Sequence, residues 1–357
     1  MIKIKLFTVT ILLLIVNSCT GQKSENEIKS IPSEKKLDDS KHNTSSTENF
    51  VFNSDINNQI SQVVRTIFQD SKGFFWFGTE NGAFKLVDNS LIHIDNIISE
   101  SGKGVTIKDI TEDNDGKIWI GHTDGISSID GEKVTNYYES DGLISNDIWS
   151  IATDKKGRIW IGSLDGVCVF DGQTFSKFIL PEGKVDSTLG ISSTRMVHSI
   201  FEDSNGTLWF SSNAGLFSFA NDLLTNVSKK VGIETNFINE IFEDRNGKLW
   251  VSTKNGLYNL IDNKGINITK GKIETGKGIG SIAEDKDGNL WFVSNQHYLY
   301  AYDGNELIEF NKSDNNKGPV VFQIYKDQYN RLWFVGFGGA FRLENGKFIH
   351  VTKNGPW

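Results

Sequence analysis

The sequence has little proline, little cysteine and no surplus of basic charge, and each shortage narrows what the chain can be. Four prolines in 357 residues leave almost every backbone donor in place, which suits many short strands joined by glycine turns. Two cysteines, Cys19 and Cys168, cannot build a disulfide framework. A formal charge of −8, with no basic stripe, argues against a nucleic-acid partner. The six histidines, His42, His93, His122, His198, His297 and His350, are scattered. No two of them stand in a recurring relation to a carboxylate, so no acid–base pair of the kind hydrolases and lyases use is legible. No apolar run reaches the length of a comfortable transmembrane helix.

The longest apolar run, Leu6 to Val16, follows Lys3 and Lys5 and ends in Val16-Asn17-Ser18-Cys19. Its length and flanks are those of a signal-peptide core. A small residue directly before a cysteine at its end resembles the lipobox of bacterial lipoproteins. That resemblance implies a leader over residues 1–18 and acylation of Cys19 as the mature N-terminus. Several acyl chains on one residue anchor a protein stably. Residues 19–49 are polar, charged and nearly free of aromatics, which predicts a disordered tether. About thirty such residues span on the order of 30 Å on average. The expected location is the cell envelope, extracytoplasmic and lipid-anchored, with no inner-membrane retention signal after Cys19; the outer membrane is the expected site.

What the sequence has in abundance is one stretch written seven times. Seven tryptophans, Trp76, Trp119, Trp160, Trp209, Trp250, Trp291 and Trp333, lie 43, 41, 49, 41, 41 and 42 residues apart. Six residues before each stands an aspartate: Asp70, Asp113, Asp154, Asp203, Asp244, Asp285 and Asp327. Nine before each stands an isoleucine, and three before each a glycine, except for Asn330 in the last copy. Short apolar runs and tight turns at this period predict an all-β fold, a seven-bladed β-propeller of four-stranded antiparallel blades over residues 50–357. The aspartate–glycine stretch reads as a turn between the first and second strands. The tryptophans read as packing between blades. Asp113-Asn114-Asp115-Gly116 and Asp285-Lys286-Asp287-Gly288 invite a calcium reading, but neither offers six converging oxygens. No metal and no cofactor is expected. Cys168 takes the third-strand position held elsewhere by Phe84, Phe217, Tyr258, Leu299 and Phe341, an expected core thiol.

The repeat Ile-x-x-Asp-x-x-Gly-x-x-Trp-x-Gly-x-x-x-Gly resembles the two-component regulator propeller repeat, and Asp141-Gly142-Leu143-Ile144-Ser145-Asn146-Asp147-Ile148 is especially close to it. The resemblance covers residues 50–357 and implies the extracytoplasmic sensor half of a hybrid histidine kinase. With no β-sandwich, second span or kinase motif after the last repeat, it implies a sensor-like propeller without a signalling output of its own. A more distant similarity is to the streptogramin B lyase propeller. Its metal-assisted elimination needs a histidine base and acidic ligands that cannot be matched here residue by residue.

The repeat also serves as its own control. Twelve residues before each tryptophan is Val64, Ile107, Ile148, Val197, Ile238, Ile279 or Val321, a constant apolar column. One residue later come Arg65, Lys108, Trp149, His198, Asn239, Gly280 and Phe322, which share no chemistry. Scaffold demands are equal in every blade, so this column is either a ring of ligand contacts at the channel entrance or a solvated rim free to drift. Cations beside aromatic faces suit an acidic sugar or another anionic organic ligand. The 49-residue interval also places extra residues in Leu180–Thr194 on the same face. The function expected is non-enzymatic capture of an anionic glycan, a peptide or a protein partner for a sensing or uptake system. The alternative is a metal-assisted lyase. Two closures of the ring remain open, with Phe50-Val51-Phe52 clasping the last blade or standing as an extra edge.

Overall fold

A computed structural model describes residues 57–184, 193–296, 298–310 and 320–357. The leader, Cys19, the tether and Phe50 to Phe52 lie outside the described residues, as does most of the Leu180–Thr194 insertion. Among the described residues, twenty-eight strands form seven sheets of four antiparallel strands, each sheet built from one continuous stretch of chain. The first strands run Val64–Gln69, Ile107–Glu112, Ile148–Thr153, Val197–Glu202, Ile238–Glu243, Ile279–Glu284 and Val320–Lys326. The fourth strands are short and half-exposed, as in Phe175–Phe178 and Leu223–Asn226. Helix is confined to Val227–Val231 and the single turn Glu139–Asp141 among the described residues. Among the described residues, no helix is long and apolar enough to cross a membrane.

The constant aspartate organises each blade's first turn. In blade four, Asp203 Oδ1 accepts from Asn205 N–H at 3.0 Å and Thr207 N–H at 2.9 Å. Its Oδ2 accepts the indole N–H of Trp209 at 2.9 Å. The indole bond recurs in all seven blades at 2.8–2.9 Å. The carboxylate therefore satisfies the turn backbone and the one polar atom of the large buried ring together. Gly206 supplies the positive φ of 81° that this turn requires.

The core is divided into seven clusters, and each joins one blade's tryptophan to the next blade's first strand. Trp76 packs with Ile107 and Ile110, Trp119 with Ile148 and Ile151, and Trp160 with Val197 and Ile200. Trp209, Trp250 and Trp291 repeat the arrangement with blades five, six and seven. Trp333 completes the circuit by packing with Val64, Ile67, Phe75 and Phe77 of blade one. Around this closure the chain before blade one lies on blade seven: Gly338 N–H donates to Gln62 O at 2.9 Å and Lys353 N–H to Asn58 O at 2.8 Å. Trp357 reaches back to Phe77, with centroids 6.0 Å apart, and to Asn89 O at 3.2 Å.

One register differs from the sequence expectation. Cys168 is fully buried opposite Ile161, as expected, but in blade six the equivalent residue is Tyr300 rather than Leu299, since Tyr300 pairs with Phe292. The turn between Ser294 and Tyr298 holds three residues where the other blades hold two, which slides the third strand by one.

Candidate functional site

The seven variable residues owe their position to a defect repeated in every first strand. Val64 pairs with Thr79 and Thr66 with Gly78, so two steps on the first strand oppose one step on the second and Arg65 is left over. The same shift falls at the same place in all seven blades. This is a β-bulge, which adds one unpaired residue and re-aims its side chain. The constant columns demand it. Apolar residues twelve and nine before the tryptophan are an odd number apart and would face opposite sides of a regular strand. In every blade they share one core cluster, and only an inserted residue permits that.

Arg65, Lys108, Trp149, His198, Asn239, Gly280 and Phe322 all line one cavity of about 780 Å³. It sits at the end of the ring where the first strands begin. Lys254, Asn295 and Gln296, from turns between second and third strands, Phe337, at the end of a second strand, and Phe237, Lys277 and Gly278, from loops entering blades five and six, add to its wall. The volume falls in the range of small-molecule sites.

The upper tier pairs cations with rings. Lys108 Nζ lies 3.7 Å from the Trp149 ring centroid, and it is ion-paired with Asp147. Burial depresses the Lys108 pKa, with the Asp147 hydrogen bond and charge opposing and the nearby Arg65 charge adding to the depression. The Arg65 guanidinium lies 5.1 Å from the Phe322 centroid, and Phe322 packs on Phe337 at 5.2 Å. His198 stacks on Phe237 at 4.8 Å, and its Nε2 meets Asn213 Oδ1 at 2.8 Å. Burial lowers the His198 pKa, so the ring is neutral near pH 7. Lys254 Nζ sits 5.6 Å from the Phe237 centroid. Asn239 donates to Ile279 O of the next blade, and Gly280 leaves its sector of the wall without a side chain.

A lower tier was not singled out by the sequence reading. The residues ten before each tryptophan, Thr66, Asp109, Ser150, Ser199, Glu240, Ser281 and Gln323, also line the cavity. Five of them reach across to the next blade and accept the N–H of its constant isoleucine: Asp109 from Ile151 at 2.8 Å, Ser150 from Ile200 at 3.0 Å, Glu240 from Ile282 at 3.1 Å, Ser281 from Ile324 at 3.1 Å and Gln323 from Ile67 at 2.7 Å. Desolvation raises Asp109 to about 6 against its backbone hydrogen bonds. It raises Glu240 to about 8, with the Asp109 charge adding to the rise. A uniformly polar column between two apolar ones was the available signal.

The two component regulator propeller model matches residues 58–81, 101–124, 142–165, 190–214, 232–255 and 274–296. These segments hold the first two strands of blades one to six. No curated protein matches the sequence. Among solved structures, the extracellular domain of a hybrid two component system from B. thetaiotaomicron aligns at TM-score 0.65 and 21% identity, over 83% of this chain and 42% of that one. The extracellular domain of a one component system from the same organism aligns at TM-score 0.63 and 17% identity, over 83% of this chain and 40% of that one. This chain thus spans less than half of either sensor chain. A streptogramin B lyase aligns at TM-score 0.63 and 15% identity, over 84% of this chain and 99% of the lyase. Identities this low establish a shared propeller fold. The repeat establishes more: in six of its seven blades the chain carries the repeat of the two component regulator propeller family.

Proposed function

We propose that this protein is a lipid-anchored, extracytoplasmic propeller that captures an anionic organic ligand in the bulge-lined cavity, without chemistry, for a sensing or uptake system. One observation carries the reading. Four cations line the cavity; Lys108 and Lys277 are paired with Asp147 and Glu274, while Arg65 and Lys254 form no ion pair among the described residues. Arg65 Nε is buried there with no hydrogen-bond partner, a cost that an arriving carboxylate or sulfate would remove. Aromatic faces beside the cations add a flat apolar contact, as sugar rings and aromatic acids require. Support for the anchor is the Leu6–Val16 run ending at Cys19, and support for the sensing role is the repeat shared with sensor propellers. A thermal-shift screen of acidic oligosaccharides, organic acids and peptides should yield a stabilising ligand. Arg65→Ala, Trp149→Ala or His198→Ala should each weaken its binding about tenfold, or ~1.4 kcal/mol; unchanged affinity in all three would overturn the assignment.

A second reading, a metal-assisted lyase, is favoured by the alignment over 99% of a streptogramin B lyase. Against it, the histidine of the described cavity wall, His198, bonds Asn213 rather than a carboxylate. Stabilisation by Mg²⁺ that EDTA reverses would favour the lyase.

A further inference from the structure

The cavity is lined by cations and, one residue further along the first strands, by two acid side chains. Arg65, Lys108, Lys254 and Lys277 stand in the bulge tier and the surrounding loops, and Asp109 and Glu240 stand one residue further along the first strands of blades two and five. The geometry points to a small zwitterionic ligand, a short peptide or amino-acid-like molecule. Its acid group would meet Arg65 and Lys254, and its ammonium would be held between Asp109 and Glu240. This rests on the capture reading above and names the class of ligand.

Three observations support it. An acid-only ligand would satisfy Arg65, whose Nε lacks a partner, but would place its remaining surface against the Asp109 carboxylate and the Glu240 carboxyl group and leave both without a cation. An amine-only ligand would meet the cations first. Both acids also keep some acceptor capacity: Asp109 takes backbone N–H groups from Ile110 at 2.9 Å and Ile151 at 2.8 Å and the Ser150 hydroxyl, and Glu240 takes Ile282 N–H on Oε2 and the Ser281 hydroxyl. Of the roughly four lone-pair sites on a carboxylate, at least one on each side chain is left for an ammonium. The volume of about 780 Å³ admits a molecule of two or three amino-acid residues, with Trp149, Phe237 and Phe322 as side-chain contacts.

The protonation states give a readout that packing alone would not move. Glu240 is flanked by Ser199 of blade four and Ser281 of blade six, the latter hydrogen-bonded to it, and feels the charge of Asp109 across the cavity. The other titratable groups of the wall are Lys108, His198, Lys254, Lys277 and Arg65. With Glu240 raised to about 8, it holds its proton at pH 7. An ammonium arriving there favours the carboxylate, and the proton leaves to the buffer while the ligand's own protons stay in place.

The test uses random tripeptide pools with free termini, with acetylated N-termini and with amidated C-termini, together with tricarballylate as an acid without an amine. The free-ended pool should raise Tm, and capping either end should abolish the shift. Calorimetry of the tightest tripeptide in two buffers of different ionisation enthalpy should show proton release at pH 7, and Glu240→Gln should remove it. The acetylated pool or tricarballylate stabilising as strongly as free tripeptides would overturn the proposal, as would no stabilisation by any pool. If tricarballylate binds and Arg65→Ala abolishes that binding, anion capture stands and the zwitterion does not. If free tripeptides bind with undiminished affinity to Arg65→Ala, both readings fail.

Discussion

At the scale of the residue, the pair that matters most is the constant aspartate with its tryptophan. Burying an indole leaves one donor to satisfy, and the aspartate does so while closing its own turn. Trp209→Phe would keep the ring's apolar contacts and leave Asp203 Oδ2 without its donor. A loss of ~1–3 kcal/mol is expected, read as a fall in Tm of about 2–4 °C per kcal/mol; an unchanged Tm would show the bond contributes nothing. Glu240 and Asp109 govern a different quantity. Both folded pKa values lie above the ordinary carboxylate range, at about 8 and about 6. Across the intervening pH range the folded protein therefore holds protons that the unfolded chain has released. Stability linked to these groups is complete below about pH 4 and declines as pH rises to 8. Tm should fall between pH 5 and 8.5, and Glu240→Gln should flatten the upper half of that decline. Equal slopes in both proteins would contradict the assignment.

At the scale of the element, the first strand combines order and exception. Its constant residues were legible in the sequence because scaffold demands repeat. The turn aspartates, the interface tryptophans and the buried slot of Cys168 followed from spacing alone. The variable column was legible for the opposite reason. The polar column beside it was not, because its orientation into the cavity depends on the bulge that precedes it. Val64 and Ile67, three apart and buried in one cluster, held the information that a bulge stands between them. Leu299 was misplaced for a related reason: the length of a turn is fixed by backbone geometry that one residue's identity does not reveal. Close approach of neighbouring blades is another property of this element. A Cβ on Gly162 would lie 2.9 Å from Val197 Cγ1 of the next blade, at a φ that needs no glycine. Gly162→Val should therefore cost ~1–3 kcal/mol through overpacking, measured by chemical denaturation, while the same change at exposed Gly172, with nothing within 4 Å of its Cβ, acts only through its positive φ.

At the scale of the whole molecule, the ring closes by packing blade against blade, since each of the seven sheets is complete within its own stretch of chain. The seam between blades seven and one is reinforced by Trp357 and by residues 58–63. Trp357→Ala should lower Tm and shorten the lifetime of the folded state, because opening one seam exposes two unpaired blade faces. Unfolding rates in denaturant would check this, and an unchanged rate would mean the seam opens late. The sequence indicated seven blades but not the closure, which depends on contacts more than 250 residues apart, such as Trp357 with Asn89.

The bulge has a practical consequence. An unpaired residue takes no part in register, so its side chain can be exchanged with little effect on the ladder on either side. Seven such addresses, one per blade, converge on a single chamber. Saturation of positions 65, 108, 149, 198, 239, 280 and 322 should yield a library in which most members remain folded and few share a binding preference. The propeller would then act as a fixed frame around an interchangeable palette, on which selection for a new small molecule need touch no turn and no interface.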